Sequence, residues 1–144
     1  MANFRYFTLK EMCASEKAEK KGIDNYPSFT VVEHLSELVE NILEPLRDAW
    51  GGPIYVTSGY RCEALNKAVG GVATSVHKLG WAADLQPARG RYDEFKTFVK
   101  AWLVRNRVRF DQCIEETDGG ERWIHIGLKS STGSQRGQFL NIVK

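Results

Sequence analysis

The segment that most constrains the fold is residues 30–50, TVVEHLSELVENILEPLRDAW. Its apolar residues recur three or four positions apart, which is the spacing of one face of an α-helix. These residues are Val31, Leu35, Leu38, Ile42, Leu46 and Trp50. Thr30 followed by Glu33 has the pattern of a capping box, so the helix should begin at Thr30. Pro45 should kink this long amphipathic helix or divide it in two.

The other elements are predicted from turn residues and from the period of the apolar pattern. Further helices are predicted at 8–21, ending at Gly22, at 63–69 and at 91–105. Strands are predicted at 54–60, 82–86, 110–116, 122–129 and 139–143, the last as a closing edge strand. Residues 117–121, TDGGE, carry a hairpin signal between two of them. Helices come first and strands dominate later, which predicts an α+β fold with one central, mostly antiparallel sheet and flanking helices.

Composition excludes several classes of protein. A chain of 144 residues is the size of one domain. Its 20 basic and 18 acidic side chains form no basic stripe, so nucleic acid is not an expected partner. No stretch of about 18 apolar residues is present, and no signal-peptide core occurs at the N-terminus, so no membrane contact is expected and the chain should be made in the cytoplasm. Cys13, Cys62 and Cys113 form no CxxC pair and are expected to be reduced thiols. We expect a monomer.

One histidine lies in the predicted strand 122–129. Side chains alternate between the two faces of a strand, so His125 shares a face with Trp123 and Gly127. Ile124 and Ile126 then point to the opposite, apolar face. A histidine in that setting needs a polar partner.

Only three histidines are present in the chain. His34 lies in the long helix and is interpreted as an ordinary helix residue. His77 and Asp84 lie close together in SVHKLGWAAD, residues 75–84. With His125 they offer two imidazoles and a carboxylate, which is a ligand set of catalytic zinc sites with a fourth position open. The alternative is that both histidines are structural and bind polar partners in the core.

A metal-activated water also requires a base that takes its proton. Glu115, Glu116 and Glu121 lie shortly before His125, on or beside the predicted hairpin. Alternation along the strand lets only one of Glu115 and Glu116 face the metal.

Several motifs resemble those of one known family. SVHKLGWAAD resembles the SxHxxGxAxD motif of the zinc D-alanyl-D-alanine carboxypeptidase family, which also contains D-Ala-D-Ala dipeptidases, phage L-alanyl-D-glutamate endolysins and the hedgehog signalling domain. SGYRCEALNKAVGG resembles the segment that precedes this motif in bacterial and phage members. WIHIGL resembles the WxHxS element that carries the second histidine. The motifs follow the family's order and the resemblance covers about residues 7 to 128.

The resemblance implies roles for five residues. His77, Asp84 and His125 match the three zinc ligands, with one zinc per chain. Arg61 matches an arginine that holds the substrate's carboxylate or a transition-state oxygen, a task that suits a fixed, always charged guanidinium. Ser75 matches a serine that hydrogen-bonds the substrate or a ligand, although a turn-forming serine would give the same sequence.

The position of the acidic residue that would act as base departs from the family's commonest pattern. Many members carry an acid three positions before the second histidine, where this chain has Arg122. In hedgehog-like and many phage-like members the acid instead ends the preceding strand, and FDQCIEE places Glu116 there. Glu116 is therefore the predicted base, with Glu121 and then Glu115 as alternatives.

The resemblance implies a single zinc peptidase domain over residues 1–144. The expected substrate is a peptidoglycan stem peptide, cut by a D,D-carboxypeptidase or by an endopeptidase of endolysin type. A chain made in the cytoplasm would reach the cell wall if it were released as a phage lysin. The alternative is a non-catalytic zinc-containing module that binds cell wall or peptide, which Arg122 in the usual acid's place keeps open.

Overall fold

The computed structural model describes residues 4–144. Its helices are α1 (Leu9–Cys13), α2 (Glu16–Lys21), α3 (Phe29–Leu38), α4 (Glu44–Trp50), α5 (Glu63–Ala68) and α6 (Tyr92–Arg105). A π-helical turn, Val39–Leu43, joins α3 to α4, and a 3₁₀ turn, Val76–Leu79, follows α5. The strands are β1 (Ile54–Ser58), β2 (Ala82–Pro87), β3 (Gln112–Asp118), β4 (Glu121–Gly127) and β5 (Gln138–Val143). Among these residues no helix is long and apolar enough to cross a membrane.

The five strands form one sheet in the order β1-β2-β4-β3-β5. The pairs β1 with β2, β2 with β4 and β3 with β4 are antiparallel. The last strand, β5, lies at the edge as predicted but runs parallel to β3. The predicted α+β class with a mostly antiparallel sheet is therefore confirmed. The central strand, β4, is paired directly with β2, which brings two distant motifs together.

The predicted helix 8–21 is wrong in one respect, because it is two short helices. Thr8 caps α1 through a bond from the amide of Glu11 to its hydroxyl. Ala14 is extended, and the hydroxyl of Ser15 then accepts from the amide of Ala18 to start α2. A second N-cap within the segment ends one helix and begins another. Gly22 ends α2 in a left-handed conformation, as expected.

The long helix begins at Phe29, and its N-cap lies two residues earlier than predicted. Ser28, and not Thr30, is its N-cap, since the Ser28 hydroxyl accepts from the amide of Val31. The capping-box prediction is therefore wrong, because Ser28 offers an equivalent hydroxyl earlier in the chain. The winding changes in the π-helical turn before Pro45, and Pro45 itself lies in the first turn of α4, where its missing amide proton costs little.

The predicted apolar face of this helix forms much of the core. Its buried members are Val31, Leu35, Leu38, Ile42 and Leu46, while Trp50 is half-buried. The helix α6 contributes Phe95, Val99 and Leu103 to the same core. From the sheet, Ile124 and Ile126 meet these helices and are fully buried. Each such side chain contributes about 1.5–3 kcal/mol when it leaves water. The alternation predicted for β4 is confirmed. The face of β4 opposite these isoleucines carries His125.

An ion pair between the buried Asp111 and the exposed Arg136 fixes the segment that leads into β5. The carboxylate of Asp111 accepts hydrogen bonds from the Nε, Nη2 and backbone amide of Arg136 at 2.7, 2.8 and 3.1 Å. The hydrogen bonds from Arg136 outweigh the effect of burial and lower the pKa of Asp111 from its ordinary value of 3.8. The sequence showed no sign of this pair, which links residues 25 positions apart.

Replacing Arg136 with Gln should lower the melting temperature at neutral pH by roughly 2–5 °C. A carboxyl group whose pKa is lowered by folding stabilises the protein above its unfolded pKa and loses that contribution as the pH falls through its folded pKa. The difference between Arg136→Gln and wild type should therefore be full above about pH 4 and shrink as the pH falls below 3.8, the ordinary value. Thermal melts from pH 2 to 7 measure it, with exposed Arg89→Gln as control. A difference independent of pH would contradict this account.

Candidate metal centre

Three separate elements bring the histidines and the aspartate together. Asp84 on β2 lies directly opposite His125 on β4 in the antiparallel register, so both side chains project from the same face of the sheet. His77 comes from the 3₁₀ turn that precedes β2. The pairing of β2 with β4 therefore brings the SVHKLGWAAD and WIHIGL segments together, as the sequence predicted.

The potential ligand atoms of this group all lie within 4.8 Å of one another. Nε2 of His77 lies 3.2 Å from Nδ1 of His125. Both nitrogens approach the same carboxylate oxygen, Oδ1 of Asp84, at 3.3 and 3.2 Å. The three side chains therefore converge on one point.

The ring of His77 is held in a defined orientation. Its Nδ1 lies 2.7 Å from the carbonyl oxygen of Gly59. A carbonyl can only accept, so Nδ1 donates to it, and Nε2 is the ring nitrogen that faces the convergence point. Fixing the second ring nitrogen in this way is what metal-bound histidines generally require. Gly59 cannot be replaced easily, because a Cβ there would lie 2.1 Å from the carbonyl oxygen of Met12.

Small residues allow the chain to turn from His77 into β2. Gly80 has φ +78, and a Cβ at this position would lie 2.9 Å from the carbonyl oxygen of Val31. Ala82 and Ala83 that follow are fully buried. Ser75 caps the turn, since its hydroxyl accepts from the amide of His77 at 3.2 Å. Its substrate contact stays a prediction, and its structural contribution is to the turn.

The electrostatics keep Asp84 ionised. Burial by itself would raise the pKa of this carboxyl, but the imidazoles of His77 and His125 outweigh burial and hold the pKa well below its usual range. The guanidinium of Arg61 lies on the other oxygen, with Nη2 3.4 Å from Oδ2. The ionised carboxylate is the form that binds a metal.

The donor set fits a zinc ion. Two imidazole nitrogens and one carboxylate oxygen are ligands that zinc accepts, and three protein ligands leave a position for water or substrate. His77 is 2 % exposed, and the side chain of His125 is 12 % exposed. The residues His77, Asp84 and His125 could therefore hold the metal.

The structure separates the three candidate bases. Glu116 lies opposite Trp123 in the register and so shares the face of His125. Its Oε2 accepts a hydrogen bond of 2.7 Å from the indole Nε1 of Trp123. Glu121 lines the same cleft but lies four residues from His125 along β4, roughly 13 Å away at the rise of a strand. Glu116 lies opposite Trp123, which is only two residues from His125 along β4. Glu116 is therefore closer to the metal group than Glu121.

Glu115 is not brought to the site. It projects from the opposite face of the sheet, where Lys100 and Lys96 of α6 pair with its carboxylate. The hydrogen bond from Lys100 contributes most to lowering its pKa. Arg122 is on that face too, with Nη1 3.0 Å from Oδ1 of Asp93 and its guanidinium over the ring of Tyr92. Arg122 therefore lies on the face opposite His125.

A cleft of about 720 Å³ lies over this face of the sheet. Asp84, Arg61 and Glu116 all line it. Its volume is in the range that holds a ligand of a few residues. The cleft therefore reaches the group of three on the side of Asp84, with Arg61 and Glu116 in its lining.

Sequence reasoning missed the residues that hold these side chains. Asn66 accepts from Nη1 of Arg61 at 3.0 Å, and the hydroxyl of Ser58 accepts from Nε at 2.9 Å. Asn66 and Ser58 flank Arg61 within the SGYRCEALN segment, yet nothing in that segment shows which of its polar residues turn towards Arg61. Trp123 has its signal in the WIH element, but its bond to Glu116 follows only from the strand register.

The α+β sheet with a convergent His–Asp–His group, whose aspartate lines a cleft together with a glutamate and an arginine, defines a candidate metal-dependent hydrolase. The family model described as Peptidase M15 matches residues 5–127, and the chain belongs to that family. This confirms the resemblance to the D-alanyl-D-alanine carboxypeptidase-like zinc peptidases and makes the protein a peptidase. No curated protein matched the chain.

Proposed function

We propose that this protein is a zinc peptidase that hydrolyses peptide bonds in peptidoglycan stem peptides, as a D,D-carboxypeptidase or an endopeptidase of endolysin type. The observation that carries the proposal is the convergence of His77, Asp84 and His125 within 4.8 Å in a chain of the Peptidase M15 family. Glu116 and Arg61 border the same cleft. One zinc per chain is expected.

Zinc held by these three ligands would supply Lewis-acid chemistry, lowering the pKa of a water to about 7 and polarising a carbonyl oxygen. The remaining steps belong to the chain's own residues. Glu116 takes a proton from the attacking water and returns it to the departing amine, which makes it base and then acid. Its carboxylate is oriented for this by the indole of Trp123. The positive charge of Arg61 offsets the negative charge that develops on the carbonyl oxygen.

The substrate class is supported by the motifs that this chain shares with peptidoglycan-cleaving members of its family. The expected substrate is a peptide that contains D-alanine or a γ-linked residue. An open cleft with a mixed polar and apolar lining, including Tyr60 and Val69 beside Arg61, is suited to a short peptide and not to a buried small molecule. Ser75 remains a predicted substrate contact.

Mass spectrometry of muropeptides tests this proposal. Purified stem peptides of defined sequence are incubated with zinc-loaded protein, and with protein stripped of metal as the control. We expect fragments that differ from the substrate by hydrolysis of one peptide bond, in the zinc-loaded sample alone. Release of a terminal residue identifies a carboxypeptidase and cleavage within the stem an endopeptidase. A protein that binds zinc fully but cuts no stem peptide is instead a non-catalytic binding module.

A further inference from the structure

The two carboxylate oxygens of Asp84 have different partners. Oδ1 faces the nitrogens of His77 and His125, at 3.3 and 3.2 Å. Oδ2 faces Nη2 of Arg61 at 3.4 Å. Arg61 therefore occupies the oxygen that the histidines leave free. A carboxylate fixed in this way would offer a metal a single oxygen and a defined direction.

Arg61 is itself held at each of its nitrogens. Nε donates to the hydroxyl of Ser58 and Nη1 donates to the side-chain oxygen of Asn66. With Nη2 directed to Asp84, three of its five N–H groups have protein partners. The Arg61 side chain is only 13 % exposed although it lines the cleft. These three contacts fix the orientation of the guanidinium.

Asn66 is shaped for this contact. It is 2 % exposed, and its side-chain amide donates to the carbonyl of Val72 at 2.9 Å, which leaves the oxygen directed at Arg61. Gly71 provides the space, because a Cβ there would lie 2.1 Å from the Asn66 oxygen and 2.8 Å from Nη1 of Arg61. Any side chain at position 71 would displace the pair.

We propose that Asn66, together with Ser58, is a positioning residue that holds Arg61 on Oδ2 of Asp84 and thereby sets how tightly the centre binds its metal. The proposal rests on the metal centre of the proposed function. The loop after β1 and the helix α5 would then influence metal affinity, because the contacts run from Asn66 through Arg61 to Asp84. Outer partners of metal ligands commonly change metal affinity by about 10- to 100-fold when they are removed.

A double-mutant cycle on zinc affinity tests the proposal without any need for activity. Zinc dissociation constants are measured by chelator competition for wild type, Asn66→Ala, Arg61→Gln and the double variant. We expect each single change to weaken zinc binding by about 10-fold or more. The double variant should bind no more weakly than Arg61→Gln alone, because Asn66 acts through Arg61. Losses that multiply in the double variant, or no loss in Asn66→Ala, would overturn the proposal.

Further variants separate positioning from a general structural effect. Asn66→Asp keeps an oxygen for Arg61 but loses the donor to Val72, and it should restore most of the zinc affinity lost in Asn66→Ala. Ser58→Ala removes a bond to Arg61 from a half-buried position and should weaken binding even if Asn66→Ala does not fold. Asn41→Ala, on an exposed stretch of helix, is the control and should leave zinc affinity unchanged.

The visible spectrum of the cobalt-substituted protein gives a second readout. Release of Oδ2 by Asn66→Ala should change the cobalt absorption bands, because the carboxylate of Asp84 is then free to bind through both oxygens. A wild-type protein that binds no metal would remove the proposed function itself. A wild type that binds zinc tightly beside an Asn66→Ala variant with the same affinity and spectrum would remove this inference alone.

Discussion

Glu116→Gln is expected to abolish peptide hydrolysis while one zinc per chain remains bound. The substitution keeps the size of the side chain and an oxygen that can accept from Trp123. It removes the carboxylate that takes the proton from water and returns it to the leaving amine. General acid–base catalysis contributes about 100- to 10,000-fold, so kcat should fall by at least this range. Hydrolysis rates on a stem peptide and zinc content by mass spectrometry, measured on the same sample, check both parts.

Two other glutamates make this prediction specific. Glu115→Gln is the matched control, because Glu115 lies on the opposite face of β3 with Lys96 and Lys100. The activity of this variant should match that of the wild type. Glu121→Gln should retain most activity because of its distance from His125. Full activity in Glu116→Gln together with loss in Glu121→Gln would assign the base to Glu121 and overturn the role given to Glu116.

His125→Ala is expected to remove both metal and activity. The Nδ1 of His125 lies 3.2 Å from both Nε2 of His77 and Oδ1 of Asp84, so its loss leaves two ligands. Removal of an outer partner already costs about 10- to 100-fold in metal affinity, and loss of a ligand should exceed this. Zinc affinity by chelator competition should therefore fall by more than about 100-fold, with hydrolysis lost at ordinary zinc concentrations.

A third histidine provides the comparison. His34 stacks on Trp81 and its Nδ1 lies 2.6 Å from the carbonyl of Leu79, outside the group of three. His34→Gln keeps a donor near that carbonyl and should retain zinc affinity and activity. If His125→Ala bound zinc as tightly as His34→Gln, the metal would not lie between His77, Asp84 and His125. Thermal melts of both variants distinguish loss of the metal from loss of the fold, and we expect both variants to remain folded.

The parts of the site that lie on regular strands could be predicted from the sequence. Alternation alone predicted that His125 lies on one face of its strand and that Ile124 and Ile126 lie on the other, apolar face. The structure confirms that the two faces are divided in this way. Alternation also showed that Glu115 and Glu116 cannot share a face. These predictions succeed because the period of a strand is fixed by the backbone and does not depend on distant contacts.

Other features depend on contacts that local patterns do not record. The choice of Ser28 over Thr30 as N-cap depends on which of two hydroxyls reaches the first free amide. The parallel pairing of β5 follows the anchoring of Arg136 on Asp111, which joins segments 25 residues apart. The bond from Arg61 to Asn66 requires the turn before α5 and the space left by Gly71. Such side-chain partners become visible only when the chain has folded.

Zinc titration of the metal-free protein tests the central claim most directly. Bound zinc and the rate of stem-peptide hydrolysis are measured at each addition, in wild type and in Glu116→Gln. We predict that hydrolysis by the wild type rises in proportion to bound zinc and reaches its maximum at one zinc per chain. The Glu116→Gln variant should bind the same amount with no hydrolysis. Hydrolysis that persists without metal, or full zinc occupancy of the wild type without hydrolysis, would contradict the account.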